Sequence, residues 1–100
     1  MHKSYWIYIV LCKDKTFYTG VTNDVAGRIW EHNHDNSDKN SYTYKRRPVK
    51  LVYCELFHDV KTAIIREKQV KGWSKRKKQA LIDENADNLI KYSKRKYPNR

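Results

Sequence analysis

Two tyrosine-bearing stretches, Trp6-Ile7-Tyr8 and Tyr18-Thr19-Gly20, stand near the start of the chain, and Arg28 follows the second tyrosine by ten residues. Two phenols and a guanidinium brought to one surface suit a phosphoryl group. Its oxygens gain charge as water attacks, and a fixed guanidinium answers that charge with a fork of donors. Glu67 is a further candidate: it falls inside the apolar stripe of a helix expected over about 61–73, four residues after Ala63 and three before Val70. A carboxylate there is costly unless it is paired or bound to a cation. A hard cation takes oxygen ligands and keeps several waters, so one carboxylate plus substrate oxygens can suffice. Tyrosine is the awkward member as a base. A phenol near pKa 10 needs about three units of help at neutral pH, about 4 kcal/mol, which a neighbouring cation can supply.

The charge of the chain agrees with an anionic partner. Lys and Arg total 22 against 11 Asp and Glu, a formal charge of +11 on 100 residues, which favours acidic polymers through counterion release. The excess is lopsided. Residues 1–60 carry 9 basic and 7 acidic side chains, and residues 61–100 carry 13 and 4. Basic runs are often only solvated faces; aromatic side chains among them add the capacity to stack on bases.

One hundred residues fit one domain, with a core over about 5–90 and a frayed basic tail over 91–100. The apolar run from Tyr5 to Cys12 is too short to cross a bilayer and lacks a cleavage site for a signal segment. Cys12 and Cys54 form neither a disulfide framework nor a zinc spacing. A cytoplasmic monomer is the expectation.

The elements that must position these groups can be read in order. Tyr5 to Cys12 and Phe17 to Val21 are β-prone runs joined by a short polar connection, a hairpin signal. In the first strand Trp6, Tyr8 and Val10 share one face and Ile7, Ile9 and Leu11 the other. Both faces are apolar, so this strand is central and covered twice. Gly20 removes a side chain where another group approaches. Asn23 or Asp24 caps a helix running to about Asn33, with Val25, Ile29 and Trp30 as its buried stripe and Arg28 and His32 on one edge. Asn33 to Arg47 is a long polar loop ended by Pro48, and such loops are often functional. Leu51 to Phe57 is a third strand. After Asp59 or Lys61 comes the helix over about 61–73, with Ala63, Ile64, Val70 and Trp73 inward. Ser74 caps a last helix over about 75–84, which buries Ala80, Leu81 and Ile82 and exposes Lys75, Arg76, Lys77 and Lys78.

Taken together, the ordered set of Trp6-Ile7-Tyr8, Tyr18-Thr19-Gly20, Thr22-Asn23-Asp24, Arg28, Glu31-His32-Asn33, the segment from Arg46 to Tyr53, Ala63 and Arg66-Glu67 resembles the GIY-YIG endonuclease domain. The likeness is to its small stand-alone bacterial members and spans about Tyr5 to Asn88. Trp6 stands where that family has glycine and Thr19 where it has isoleucine. The resemblance implies an α+β fold, a small three-stranded antiparallel sheet flanked by about three helices, and metal-dependent hydrolysis of DNA phosphodiesters. On it, Tyr8 would help activate the water and Tyr18 would hydrogen-bond near the phosphate. Arg28 would hold the developing charge, and Glu67 would ligate Mg2+ or another divalent cation such as Mn2+. His32 matches a position that joins the site in some relatives, and Asn85 matches a polar residue near it. Selection of nucleic acid would fall to Lys45, Arg46 and Arg47 of the loop and to Lys75, Arg76, Lys77 and Lys78.

Blander readings stand beside these. Arg28 could pair with Asp24 along the helix, and Glu67 with Lys71. A histidine on a helix edge is commonly a surface group. The alternative function is a binding module for DNA or RNA that keeps the nuclease fold but little or no turnover.

Overall fold

The computed structural model describes residues 3–85; the expectations for the basic tail and for Leu89 and Ile90 lie outside those residues. Its elements run β1 (Tyr5–Leu11), β2 (Phe17–Thr22), α1 (Val25–His34), a 3-10 turn (Tyr44–Arg46), β3 (Lys50–Phe57), α2 (Val60–Lys71) and α3 (Lys75–Glu84). The strands form one antiparallel sheet in the order β2-β1-β3. This is the expected α+β arrangement of three strands with three helices.

The centre of the sheet follows from the composition of β1. Ile7, Tyr8, Ile9 and Val10 are all essentially inaccessible to solvent, which requires cover on both faces. On one face Ile7 and Ile9 pack with Ala63 and Val70 of α2 and Ile82 of α3. On the other, Tyr8 and Val10 pack with Val49, Tyr18 and Ile29 of α1. The sheet therefore lies between α1 on the Tyr8 side and the α2–α3 pair on the Ile7 side. Arg66 ties α2 to β3 through Glu55, 3.1 Å away.

Each helix starts on a side-chain cap: Asp24 accepts from the Gly27 amide, Asp59 from Thr62 and Ser74 from Lys77. Each such cap contributes about 1 kcal/mol and fixes where the helix phase begins.

That phase corrects three inward assignments. In α1 the buried line is Val25, Ile29 and His32, at i, i+4 and i+7, so Trp30 falls one residue off it and is 60% exposed. Its ring stacks on His34 instead, with centroids 4.7 Å apart. In α2 the line is Ala63, Glu67 and Val70, and Ile64 stands outside it, as does Ala80 in α3.

The segment after α1 is polar as expected but is firmly tied. The Asn33 side chain brackets Val49, accepting from its amide at 2.7 Å and donating to its carbonyl at 3.1 Å. Arg47 donates to the His32 carbonyl at 2.6 Å, to Asn36 at 2.8 Å and to the Asp35 carbonyl, satisfying acceptors that the end of α1 leaves open. Arg46 bonds Asp14 and the Tyr42 carbonyl and lies over the Tyr42 ring.

Candidate active site

Tyr18, Arg28 and His32 line one cleft, with Tyr8 buried behind His32, for reasons of register and helix phase. Tyr8 faces Gly20 across the β1–β2 ladder, and the missing side chain lets the phenol lie over that glycine. A Cβ at Gly20 would stand 2.5 Å from the Tyr8 hydroxyl and 2.6 Å from Cζ. Tyr18 is two residues earlier on β2, so it shares the Tyr8 face; the two rings are 6.4 Å apart, centroid to centroid. Arg28 and His32, four apart on α1, come down on the same face.

The Tyr8 hydroxyl and His32 Nε2 are hydrogen-bonded at 2.8 Å, and His32 Nδ1 is 2.9 Å from the Thr43 hydroxyl. The Arg28 guanidinium is near enough to lower the phenol's pKa, and it forms a half-exposed ion pair with Glu31 at 3.1 Å. A cleft of about 140 Å³ opens onto Tyr18, Arg28, His32 and Thr43, with Glu31 and Arg47 also on its wall. The outer rim is Tyr42, stacked on Tyr18 at 5.8 Å.

Electrostatics here run against a simple phenolate. Burial pushes the Tyr8 phenol up to about 12, outweighing the lowering by Arg28. The expectation that a neighbouring cation brings the phenol toward neutrality is thus corrected for the free cleft: the water-poor setting of β1 disfavours the anion more than one guanidinium favours it. Burial likewise pushes His32 down to about 4, helped by the Arg28 charge and opposed by Glu31. His32 is a neutral, enclosed base, not the surface residue its helix edge suggested.

A pH effect on stability follows. The unfolded imidazole takes a proton below about 6.5, whereas in the folded protein His32 holds off to about 4. Its contribution is complete above 6.5 and is lost as pH falls through that interval. Urea unfolding at pH 7 and pH 4.5 should show a loss that shrinks by about 2 kcal/mol in His32→Gln. An equal loss in both proteins would remove His32 as its source.

Glu67 stands apart from this cluster. It is nearly buried, at 9% exposure, on the α2 side of the sheet, and it is not among the residues lining the cleft. Its carboxylate pairs with Lys71 Nζ at 2.7 Å. Lys71 in turn lies 5.9 Å from the Tyr18 ring centroid. The sheet thus lies between Glu67 and the Tyr8 phenol, and one flexible, half-exposed lysine links the acid to the Tyr18 ring at the edge strand β2. Among the described residues no three His, Cys, Asp or Glu side chains gather as a metal cage. A lone buried carboxylate fits only a hard cation that keeps waters and takes its remaining oxygens from a substrate.

The other anticipated residues are dispersed. Asn85 closes α3, its side chain donating to the Leu81 carbonyl. Lys45, Lys75, Arg76 and Lys77 are exposed, and Lys77 sits over the Trp73 ring at 4.2 Å. Lys78 is half-buried. Arg46 and Arg47 commit donors to neighbouring groups of the protein, Asp14, Tyr42, His32, Asp35 and Asn36, as described above. Sequence reasoning missed Thr43, a threonine within a polar stretch that no spacing marks, and passed over Glu31 as a partner for Arg28, although the two are three apart on one helix.

A sheet of three antiparallel strands, with tyrosines on adjacent strands facing an arginine and a histidine on one helix, defines a small α+β domain built around a polar cleft. The chain belongs to the GIY-YIG family: residues 4–80 match the model of the GIY-YIG catalytic domain. It is 46% identical over 80 residues to the UPF0213 protein SSP2268 of Staphylococcus saprophyticus, spanning 80% of this chain and 95% of that one. It is 41% identical over 87 residues to the UPF0213 protein HQ_3675A of Haloquadratum walsbyi, spanning 87% and 96%. The solution NMR structure of the UPF0213 protein BH0048 from Bacillus halodurans is similar with a TM-score of 0.56 at 36% identity, covering 91% of this chain and 95% of that chain. These relatives are matched over nearly their whole length. Among the described residues no helix is long and apolar enough to cross a membrane.

Proposed function

We propose that the protein is a metal-dependent endonuclease that hydrolyses phosphodiester bonds in DNA. The observation that carries this reading is the convergence of Tyr8, Arg28 and His32: Arg28 and His32 line the cleft of a basic domain, and the buried Tyr8 hydroxyl stands behind them, 2.8 Å from His32 Nε2. Arg28 leaves Glu31 for the phosphate and holds its non-bridging oxygens, an exchange of one exposed acid for a doubly engaged anion. The phosphate's charge offsets that of Arg28, which is the second cause of the depressed His32 basicity, so substrate makes the imidazole a better acceptor. As water attacks phosphorus and the bond to the leaving sugar oxygen breaks, Tyr8 takes a proton from the water and passes its own to His32, the leaving oxygen is protonated from solvent, and no free phenolate has to form in the buried setting. Tyr18 donates to the phosphate from the adjacent strand.

Glu67 would hold the divalent cation, Mg2+ or Mn2+, which when bound supplies positive charge at the phosphoryl oxygens. Lys71 would have to yield its place there. Lys45, Lys75, Arg76 and Lys77 provide exposed charge for the duplex backbone. A second reading, a binding module with little turnover, is favoured by the same Lys71–Glu67 pair and by the high position of the Tyr8 phenol.

Cleavage assayed over duplex, branched and single-stranded DNA and RNA, with and without Mg2+ or Mn2+, separates the two. Metal-dependent strand breaks in DNA support the enzyme. Salt-sensitive binding without breaks on every substrate supports the module and removes the endonuclease proposal.

A further inference from the structure

Thr43 is 3% exposed and immediately precedes the 3-10 turn, yet its hydroxyl makes no capping hydrogen bond to that turn. The hydroxyl is turned instead to the imidazole of His32, 2.9 Å from Nδ1. We propose that Thr43 is a positioning residue: it accepts the Nδ1 proton of His32 and so keeps the Nε2 lone pair directed at the Tyr8 phenol. This rests on the roles given above to Tyr8 and His32.

The direction of each hydrogen bond follows from what each group can do. The Tyr8 phenol is 1% exposed and is held protonated, its pKa raised by burial. The phenol's own proton then requires an acceptor, and Nε2 stands 2.8 Å away. A neutral imidazole with an unprotonated Nε2 carries its proton on Nδ1, and that proton goes to the Thr43 oxygen. With the opposite tautomer, Nε2–H would face the phenol oxygen, the buried phenol proton would lose its acceptor and Nε2 could take no proton.

The consequence for the reaction is specific. As the water oxygen bonds to phosphorus and the bond to the leaving sugar oxygen breaks, a water proton moves to the Tyr8 oxygen, the phenol proton moves to Nε2, the leaving oxygen takes a proton from solvent, and the Nδ1 proton stays on the ring, donated to Thr43. The imidazolium so formed has both its protons engaged. Because Thr43 lies in the segment between α1 and β3, this segment orients the base as well as walling the cleft.

The test uses the full chain with 15N-labelled histidine rings, His32 being assigned through His32→Gln. At pH 7 the wild type and Thr43→Ser should show the Nδ1–H tautomer, and Thr43→Val, which keeps shape but lacks the hydroxyl, should lose it. Thr43→Ala serves if the valine variant does not fold. In single-turnover cleavage the hydroxyl-free variant should be slower by about 10²-fold with substrate affinity held, and Thr43→Ser should restore most of the rate. An Nε2–H tautomer in the wild type, or an unchanged tautomer without the hydroxyl, overturns the proposal. So does an unchanged rate in a variant whose tautomer has shifted. The expected tautomers in a protein that cuts nothing would uphold the placement of Thr43 and overturn only the nuclease reading.

Discussion

Glu67→Gln is expected to lower metal-dependent cleavage by about 10³-fold, because the loss of a cation that stabilises phosphoryl charge is worth several kcal/mol in the transition state. The substitution is chosen for its shape. Glutamine fills the space between Ala63 and Val70 without the charge that binds the cation, and the pair it dissolves has a half-exposed partner in Lys71, so little stability should be lost. Binding should persist. Its affinity and its dependence on salt come from exposed lysines and arginines elsewhere, so filter binding at several salt concentrations should give nearly parallel lines for variant and wild type. Cleavage at the wild-type rate under saturating Mg2+ would take Glu67 out of the mechanism.

Gly20→Ala tests the geometry of the phenol with a single methyl group. The added Cβ would stand 2.5 Å from the Tyr8 hydroxyl, well inside van der Waals contact, and Tyr8 is 1% exposed and hemmed by packed neighbours. The ring must shift, and with it the hydrogen bond to His32. Overpacking of this kind costs about 1–3 kcal/mol, and a displacement of about 1 Å at a reacting group can cost about 10²-fold in rate. Both should be measured on the same sample, by urea unfolding and by single-turnover cleavage. A destabilised variant that retains full rate would show that the phenol need not sit where β1 and β2 place it.

Much of this arrangement was readable from residue types. The doubly apolar β1 announced a central strand, the small Gly20 announced a close approach, and Asp24 and Ser74 marked where helices begin. The errors arose from helix phase. In α1 and α2 alike a polar residue of chemical interest, His32 or Glu67, occupies the inward line that hydrophobicity alone would give to Trp30 or Ile64. For Glu67 the stripe was recognised because Ala63 and Val70 bracket it; for His32 nothing apolar followed to complete the pattern. The positions of Arg46 and Arg47 were hidden for another reason. Their charge is visible in the sequence, but their partners are backbone carbonyls and distant polar side chains that no local spacing reveals. The double cover of β1 was expected, but that it outweighs the Arg28 charge at the Tyr8 phenol depends on how fully the ring is enclosed, which residue types do not give.

The lysine on Glu67 bears on how such a protein would live with a fluctuating ion supply. Because the chain furnishes its own positive charge for an otherwise buried acid, the fold has no need of a bound ion to mature, and chelation should leave its melting behaviour alone. Loading would then be a swap of one cation for another at a ready-made seat, switching on chemistry without reshaping the scaffold.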